Sequence, residues 1–251
     1  MRQGIGILGI YFDTVSLAQA KETVIRLAKR QKGALVATPN GTIVANAQKH
    51  PELRDTLRDA ALVLPDGISV VRAAKALGTP FPFGRVTGID LAESVCEAAA
   101  REGLSLYFFG GEADVARKAA ERLTERFRGL SVRGVSSGYG YSLEGVIEAI
   151  GNSGADIVFC CLGSPRQEIV GRVIAERLSR PVLALGGSLD VFSGKAKRAP
   201  YVFRRLSLEW LWRCLSEPKR FLRLMPLVRF YFAVRRAKKG KKACNSWENP
   251  L

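Results

Sequence analysis

Short apolar, β-branched runs alternate along this chain with longer stretches whose apolar residues recur every three or four positions. The runs are "GILGIYF" (6–12), "ALVAT" (34–38), "ALVLP" (61–65), "LSLYFFG" (104–110), "LSVRGV" (130–135), "DIVFCCLG" (156–163) and "PVLALGG" (181–187). Between them lie "SLAQAKETVIRLAKRQ", "TGIDLAESVCEAAAREG", "EADVARKAAERLTERFRG" and "LEGVIEAIGNSG", each with helical spacing. Strands separated by helices cannot pair as tight hairpins. They predict an α/β fold, with a Rossmann-like, mostly parallel sheet and helices on both faces. Near residue 195 the alternation stops. A basic, aromatic helical pattern replaces it and runs to about residue 238. This divides the chain into an α/β body over 1–195, a helical appendage over 196–238 and a tail over 239–251 expected to be disordered.

Charge follows the same division. The chain of 251 residues carries a net charge of +16, yet residues 1–194 are almost balanced. Most of the excess lies between 195 and 242, where Glu209 and Glu217 are the only acids. A segment of this kind suits an anionic membrane surface, a phosphorylated substrate or nucleic acid. "EWLWRCLSEPKRFLRLMPLVRFYF" (209–232) mixes its arginines with aromatics and long aliphatics. Pro226 is expected to break or kink any single helix through it. No uncharged apolar run reaches the ~20 residues of a membrane span. The N-terminus lacks the features of a signal peptide. The expectation is a cytoplasmic protein that touches a membrane without crossing it. The five cysteines, Cys96, Cys160, Cys161, Cys214 and Cys244, contain no C-x-x-C pair and read as reduced thiols. Cys160 and Cys161 should point to opposite faces of one strand.

In an open parallel sheet, ligands bind beyond the carboxyl ends of the strands. Those ends read "TPNG" (38–41), "PDG" (65–67), "GGEAD" (110–114), "SSGYG" (136–140), "GSPRQE" (163–168) and "GGSLD" (186–190). Asp66 follows a strand and precedes a helix, so by spacing it is either a helix cap or a general base. Thr38 and Asn40 are either cap and turn residues or hydroxyl and amide ligands for a sugar. Gly110 and Gly111 open a helix whose first N–H groups suit a phosphate. Gly186 and Gly187 allow close backbone approach. Arg166, Gln167 and Glu168 open another helix, where a Gln is able to read a sugar or base edge.

Absences narrow the chemistry. His50 is the only histidine and falls at a helix break, which leaves little room for a Ser-His-Asp or Cys-His relay. There is no zinc-ligand spacing, no G-x-x-x-x-G-K-[ST] loop and no D-x-D pair. "GIGILG" (4–9) matches G-x-G-x-x-G in letters but lies within the first strand, where it cannot cradle a pyrophosphate. No metal and no cofactor is expected.

Taken in order, "ATPNGTIVANAQKHPELRDTLRDAALVLPDGISVV", "GRVTGIDL", "FFGG", "CLGSPRQE", "LALGGSLDVFSGKAKRAP" and "LEWLWRCLSEPKRFLRL" resemble the WecG/TagA/CpsF glycosyltransferases, glycosyltransferase family 26, over about residues 3–225. The resemblance implies an inverting, metal-independent enzyme on the inner face of the bacterial membrane. In its teichoic-acid branch such an enzyme moves N-acetylmannosamine from its UDP-sugar to GlcNAc-diphospho-undecaprenol. Residue by residue, it makes Asp66 the general base and places Thr38 beside the sugars. It adds Gln167 and the R-x-x-G-x-D residues Arg85, Gly88 and Asp90. Gly110, Gly111, Gly187 and Asp190 would complete the donor pocket, with Asn40 and Arg166 beside them. Arg213, Arg220 and Arg223 would hold the lipid diphosphate, for which a planar guanidinium fork is suited. A family member with another donor, such as a uronic-acid or glucose nucleotide, is the alternative. From other classes the alternatives are a nucleic-acid-binding α/β protein with a basic arm and a membrane scaffold with a dead site. The charge interleaved with aliphatics favours lipid over nucleic acid. Homo-oligomerisation stays open.

Overall fold

The structure is a computed structural model that describes residues 4–197, 199–200, 203, 212 and 225–239. Six parallel strands form the central sheet: β3 (Ala34–Ala37), β4 (Leu62–Val63), β5 (Ser105–Gly110), β6 (Ser131–Ser136), β7 (Ile157–Cys161) and β8 (Pro181–Ala184). Their order is β4-β3-β8-β7-β5-β6. The Rossmann-like α/β expectation therefore holds for the body.

Both faces are covered, which is why these strands read as near-continuous apolar runs. On one face lie α1 (Leu17–Lys29), α5 (Gly88–Glu102), α6 (Ala113–Arg126) and α9 (Ser188–Phe192). On the other lie α7 (Leu143–Ser153) and α8 (Arg166–Leu178), joined by α2 (Gly41–Ala47), α3 (Pro51–Asp59) and α4 (Ile68–Leu77). Successive strand residues serve opposite faces. Leu106 and Phe108 pack into the first core, Tyr107 and Phe109 into the second. Phe108 stacks on Phe159 at 5.2 Å between ring centroids. Cys160 and Cys161 separate in the same way, as their adjacency predicted. Cys96, Cys160 and Cys161 are free and buried, and burial pushes the Cys96 and Cys161 thiols up to about 12 and Cys160 well above its usual value. Such thiols stay protonated and inert.

The first run departs from expectation. "GILGIYF" is a hairpin rather than one strand, with β1 (Gly4–Ile7) antiparallel to β2 (Ile10–Asp13). It forms a separate two-stranded sheet. Leu8 and Gly9 both adopt positive φ, 49° and 78°. That mirror-image turn matches the twist of the flanking strands. The "GIGILG" letters thus fall across a hairpin turn, still without a helix start to hold a phosphate. Asp13 ties the hairpin to the main sheet by accepting a 2.7 Å bond from the Val63 N–H. "ALVLP" also shrinks, to the two-residue edge strand β4. His50 stands between α2 and α3, as the expected break.

Past the body, α10 (Met225–Lys239) includes Pro226. Phe230 and Val234, one helical turn apart, are buried against α2 and α4 in the same core as the hairpin, with Leu227 beside them. The opposite face exposes Met225, Val228 and Phe232 among Arg229, Arg235, Arg236 and Lys238. No helix among the described residues is long and apolar enough to cross a membrane. Cys214 and Cys244 fall outside the described residues.

Candidate active site at the carboxyl edge of the sheet

Because all six strands run the same way, their following loops leave one edge together. Two clusters form there, and both are anchored on β8, which lies between β3 and β7.

The first cluster gathers Thr38, Asn40, Asp66 and Arg85. Thr38 is buried, and its hydroxyl donates to the Ala184 carbonyl at 3.2 Å, joining the ends of β3 and β8. Above it sits the first turn of α5. A Cβ added at Gly88 would lie 2.9 Å from Thr38 Oγ1. The glycine of R-x-x-G-x-D is therefore what lets α5 approach this hydroxyl. Thr87 caps that helix, its Oγ1 accepting from the Asp90 N–H at 3.1 Å. Just upstream, the Val86 N–H donates to the Pro65 carbonyl at 3.1 Å, which brings the Arg85 backbone to the loop of Asp66. The Asp66 N–H in turn donates to the Pro39 carbonyl at 3.3 Å.

Asn40 and Asp66 looked alike in sequence, and here they differ. Asn40 is the N-cap of α2, its Oδ1 accepting from the Thr42 and Ile43 N–H groups at 3.0 and 3.2 Å. Asp66 is not a cap. The N-cap of α4 is Gly67, at φ 93°, with no side-chain cap bond. Only glycine adopts that backbone readily. Asp66 is half-buried and lies one residue before that cap, in the loop that follows β4.

The second cluster joins the loops after β5, β6, β7 and β8. Gly110 ends β5 so close to β7 that an added Cβ would meet the Cys161 carbonyl at 2.3 Å. The helix expected to open at Gly110–Gly111 starts three residues later, at Ala113, with Glu112 at its N-cap and no side-chain cap bond. The Gly111 carbonyl accepts from the Gly138 N–H at 2.8 Å, docking the β6 loop. Arg166 is exposed and holds the same loop, its guanidinium donating to Gly138 O at 3.4 Å and Tyr141 Oη at 3.2 Å. Tyr141 packs edge-on against Phe109 at 4.9 Å. Gly187 is the N-cap of α9, where an added Cβ would lie 3.3 Å from Asp190 Oδ2.

Gln167 sits at the centre of this second cluster, and its side chain faces the protein's own backbone. It is buried. Its Oε1 accepts from Gly186 N at 2.8 Å and from Gly163 N at 3.2 Å, and its Nε2 donates to Glu168 Oε1 at 2.9 Å. Both ends of the amide are thus engaged in joining the β7 and β8 loops. Arg213, Arg220 and Arg223 lie outside the described residues.

Sequence reasoning gave no weight to three features. Ser69 Oγ accepts from the Gly41 N–H at 3.2 Å, tying α4 to the first turn of α2. Phe230 and Leu227 of α10 reach the same glycine, whose added Cβ would lie 3.0 and 3.1 Å from their ring and methyl carbons. Glu168 is 1 % exposed. In sequence it looks like an ordinary acid in the first turn of a helix, and nothing local marks it as buried.

Burial raises the Glu168 carboxyl above its ordinary 4.5, against opposing pulls from Gln167 and Ser164. Between 4.5 and the raised value the native state binds more protons than the unfolded chain. Stability therefore falls as pH rises through that window. Glu168→Gln removes this dependence, so its stability relative to the unaltered protein should increase from pH 4 to pH 7. Denaturant midpoints of both proteins at the two pH values check this. An identical difference at both pH values would count against a buried, titrating Glu168.

The carboxyl edge of the sheet thus carries a half-buried carboxylate, a buried hydroxyl beneath a helix start and several glycine-rich loops. Comparison with known proteins gives the family. The chain belongs to the WecG/TagA/CpsF glycosyltransferase family, whose model matches residues 5–244, and it is accordingly a glycosyltransferase. It is similar to the N-acetylglucosaminyldiphosphoundecaprenol N-acetyl-beta-D-mannosaminyltransferase of Bacillus spizizenii, at 36% identity over 206 residues, covering 82% of this chain and 80% of the relative.

Proposed function

We propose that this protein transfers N-acetylmannosamine from UDP-N-acetylmannosamine to GlcNAc-diphospho-undecaprenol, with inversion, without a metal, at the cytoplasmic face of the membrane. The observation that carries the reading is the long match to an enzyme of that name, together with Asp66 standing in the loop before the Gly67 cap of α4 rather than at the cap itself. In the proposed reaction, Asp66 takes the proton of the acceptor hydroxyl as its oxygen attacks the anomeric carbon. A new glycosidic C–O bond forms on the face opposite the departing UDP, whose bond to the sugar breaks. Attack from the opposite face inverts the anomeric centre. The absence of any D-x-D pair favours a metal-free donor site.

Thr38, Arg85 and Asp66 form the acceptor side of this reading. The Gly110–Gly111 and Gly186–Gly187 loops, with Arg166 and Asp190, form the donor side. Arg213, Arg220 and Arg223 would grip the acceptor diphosphate. The exposed face of α10, with Phe232 60% accessible beside Arg229, Arg235 and Arg236, suits the interface of an anionic leaflet. There each basic residue contributes ~1 kcal/mol. The appendage over 196–238 would thus hold the enzyme on its lipid substrate.

The test is UDP release from UDP-N-acetylmannosamine with a GlcNAc-diphospho-lipid, in EDTA. Acceptor-dependent release that survives EDTA is the expected result. Loss of release in EDTA, restored by a divalent cation, would overturn the metal-free reading. Release only with a different UDP-sugar would reassign the donor within the family.

A further inference from the structure

Glu168 has no part in the transfer chemistry just described, yet the protein keeps a carboxylate in its core beside the second cluster. The side chain is 1 % exposed. Among the described residues, its Oε2 and the nearby Ser164 Oγ are buried and find no bond of good geometry, although the Ser164 hydroxyl is near enough to pull on the carboxyl. Burying such groups is costly, and an apolar residue of equal size would avoid the cost. The other oxygen has one partner, the Gln167 Nε2 at 2.9 Å.

That single bond has a geometric consequence. A Gln amide has two ends, one accepting and one donating, and its orientation is set by the partners at both ends. With Nε2 committed to Glu168, Oε1 must face the other way. There it accepts from both Gly163 N and Gly186 N. Turned over, the amide would aim its NH2 group at two N–H donors and lose both bonds. Gly163 and Gly186 are the glycines of the β7 and β8 loops, both at positive φ, 79° and 58°. Few side-chain contacts hold such residues, and the amide fastens them to each other.

We propose that Glu168 is a positioning residue: by holding the Gln167 amide in one orientation, it sets the spacing of the β7 and β8 loops that flank the donor. The proposal rests on the reading that UDP lies against these loops. It concerns donor affinity, since the side chains of both residues are buried and bonded within the protein.

The test uses the full-length protein and reads the UDP dissociation constant by calorimetry, with the thermal midpoint measured alongside. Four variants are compared: Glu168→Met, Glu168→Gln, Gln167→Ala and the Gln167→Ala/Glu168→Met double variant. Methionine fills the same space without an acceptor, so it should weaken UDP binding by about tenfold to a hundredfold, the range for leaving a buried polar group unpaired. Its thermal midpoint should change little, because relief from burying the carboxyl offsets the unpaired Gln167 Nε2. Glutamine keeps an acceptor for Nε2 and should restore affinity to within about twofold on the same scale. With Gln167 already gone, Glu168→Met should add nothing, the mark of one coupled unit.

Full UDP affinity in Glu168→Met would overturn the proposal, as would losses that add in the double variant. Should the methionine variant fail to fold, Glu168→Asp serves instead. It keeps the charge but draws the acceptor back by one methylene, and the same loss of affinity is expected. A wild-type protein that turns over substrate but does not bind UDP at these loops would overturn the donor-site reading itself. That result is distinct from wild-type binding that is indifferent to Glu168.

Discussion

Asp66→Asn should abolish most acceptor-dependent sugar transfer while leaving the fold and UDP binding in place. The expected loss is about 10²–10⁴-fold in turnover, the usual contribution of a positioned general base. The side chains are nearly the same size, so packing is preserved. The Asp66 backbone bond to Pro39 O and the Gly67 cap of α4 do not depend on the carboxylate. The N-cap of α4 is Gly67 rather than Asp66, so the substitution leaves that cap in place. Measured side by side, turnover should collapse and the thermal midpoint should hardly move. Unchanged turnover in Asp66→Asn would remove it from the mechanism. Gly67→Ala, by contrast, should lower stability and activity together, because its φ of 93° strains any residue with a Cβ.

The second large effect is expected at Phe230, on the inward face of α10. Its ring is fully buried against α2 and α4. Removing a buried phenylalanine costs about 3–5 kcal/mol, a large share of the ~5–15 kcal/mol that holds a domain together. In Phe230→Ala, α10 should loosen from the body and become a target for limited proteolysis between 225 and 239. The perturbation should also reach the site. Phe230 abuts Gly41, the first residue of α2, and Gly41 follows Asn40 directly in the Thr38 loop. Activity on lipid acceptor is therefore expected to fall together with α10 docking. Gly41→Val approaches the same contact from the other side. Its Cβ would press on the Phe230 ring, the Leu227 methyl and Ser69 Oγ, the last at 2.7 Å, and it should produce the same phenotype. A Phe230→Ala protein with undiminished protease resistance and turnover would mean that α10 contributes nothing to the site.

Both expectations rest on details that only three-dimensional neighbours define. In "TPNG" and "PDG" the sequence offers Asn40 and Asp66 equally as caps. The difference arises because α2 starts immediately after Asn40, whereas α4 starts one residue later, after a glycine in a backbone conformation closed to aspartate. Gln167 was legible as a site residue from its motif. The direction of its amide was not, because it is set by N–H groups 4 and 19 residues away. Glu168 was harder still. First-turn acids normally face solvent and the helix dipole, and this one is buried with the Gln167 amide as its partner.

By itself the sequence determined the layered α/β architecture, the shared edge of six loops and the family. Each of these follows from local periodicity or from motif order, which neighbours along the chain carry. The opposite faces of Cys160 and Cys161 follow in the same way, from the two-residue period of a strand. Tertiary structure alone decided that the first run folds back as a hairpin, that Phe230 and Val234 are the inward face of α10, and that Gln167 holds the loops together. Helical spacing shows that a face exists but not what covers it. A side chain's hydrogen-bond partners are chosen by whichever distant backbone the fold brings within 3 Å.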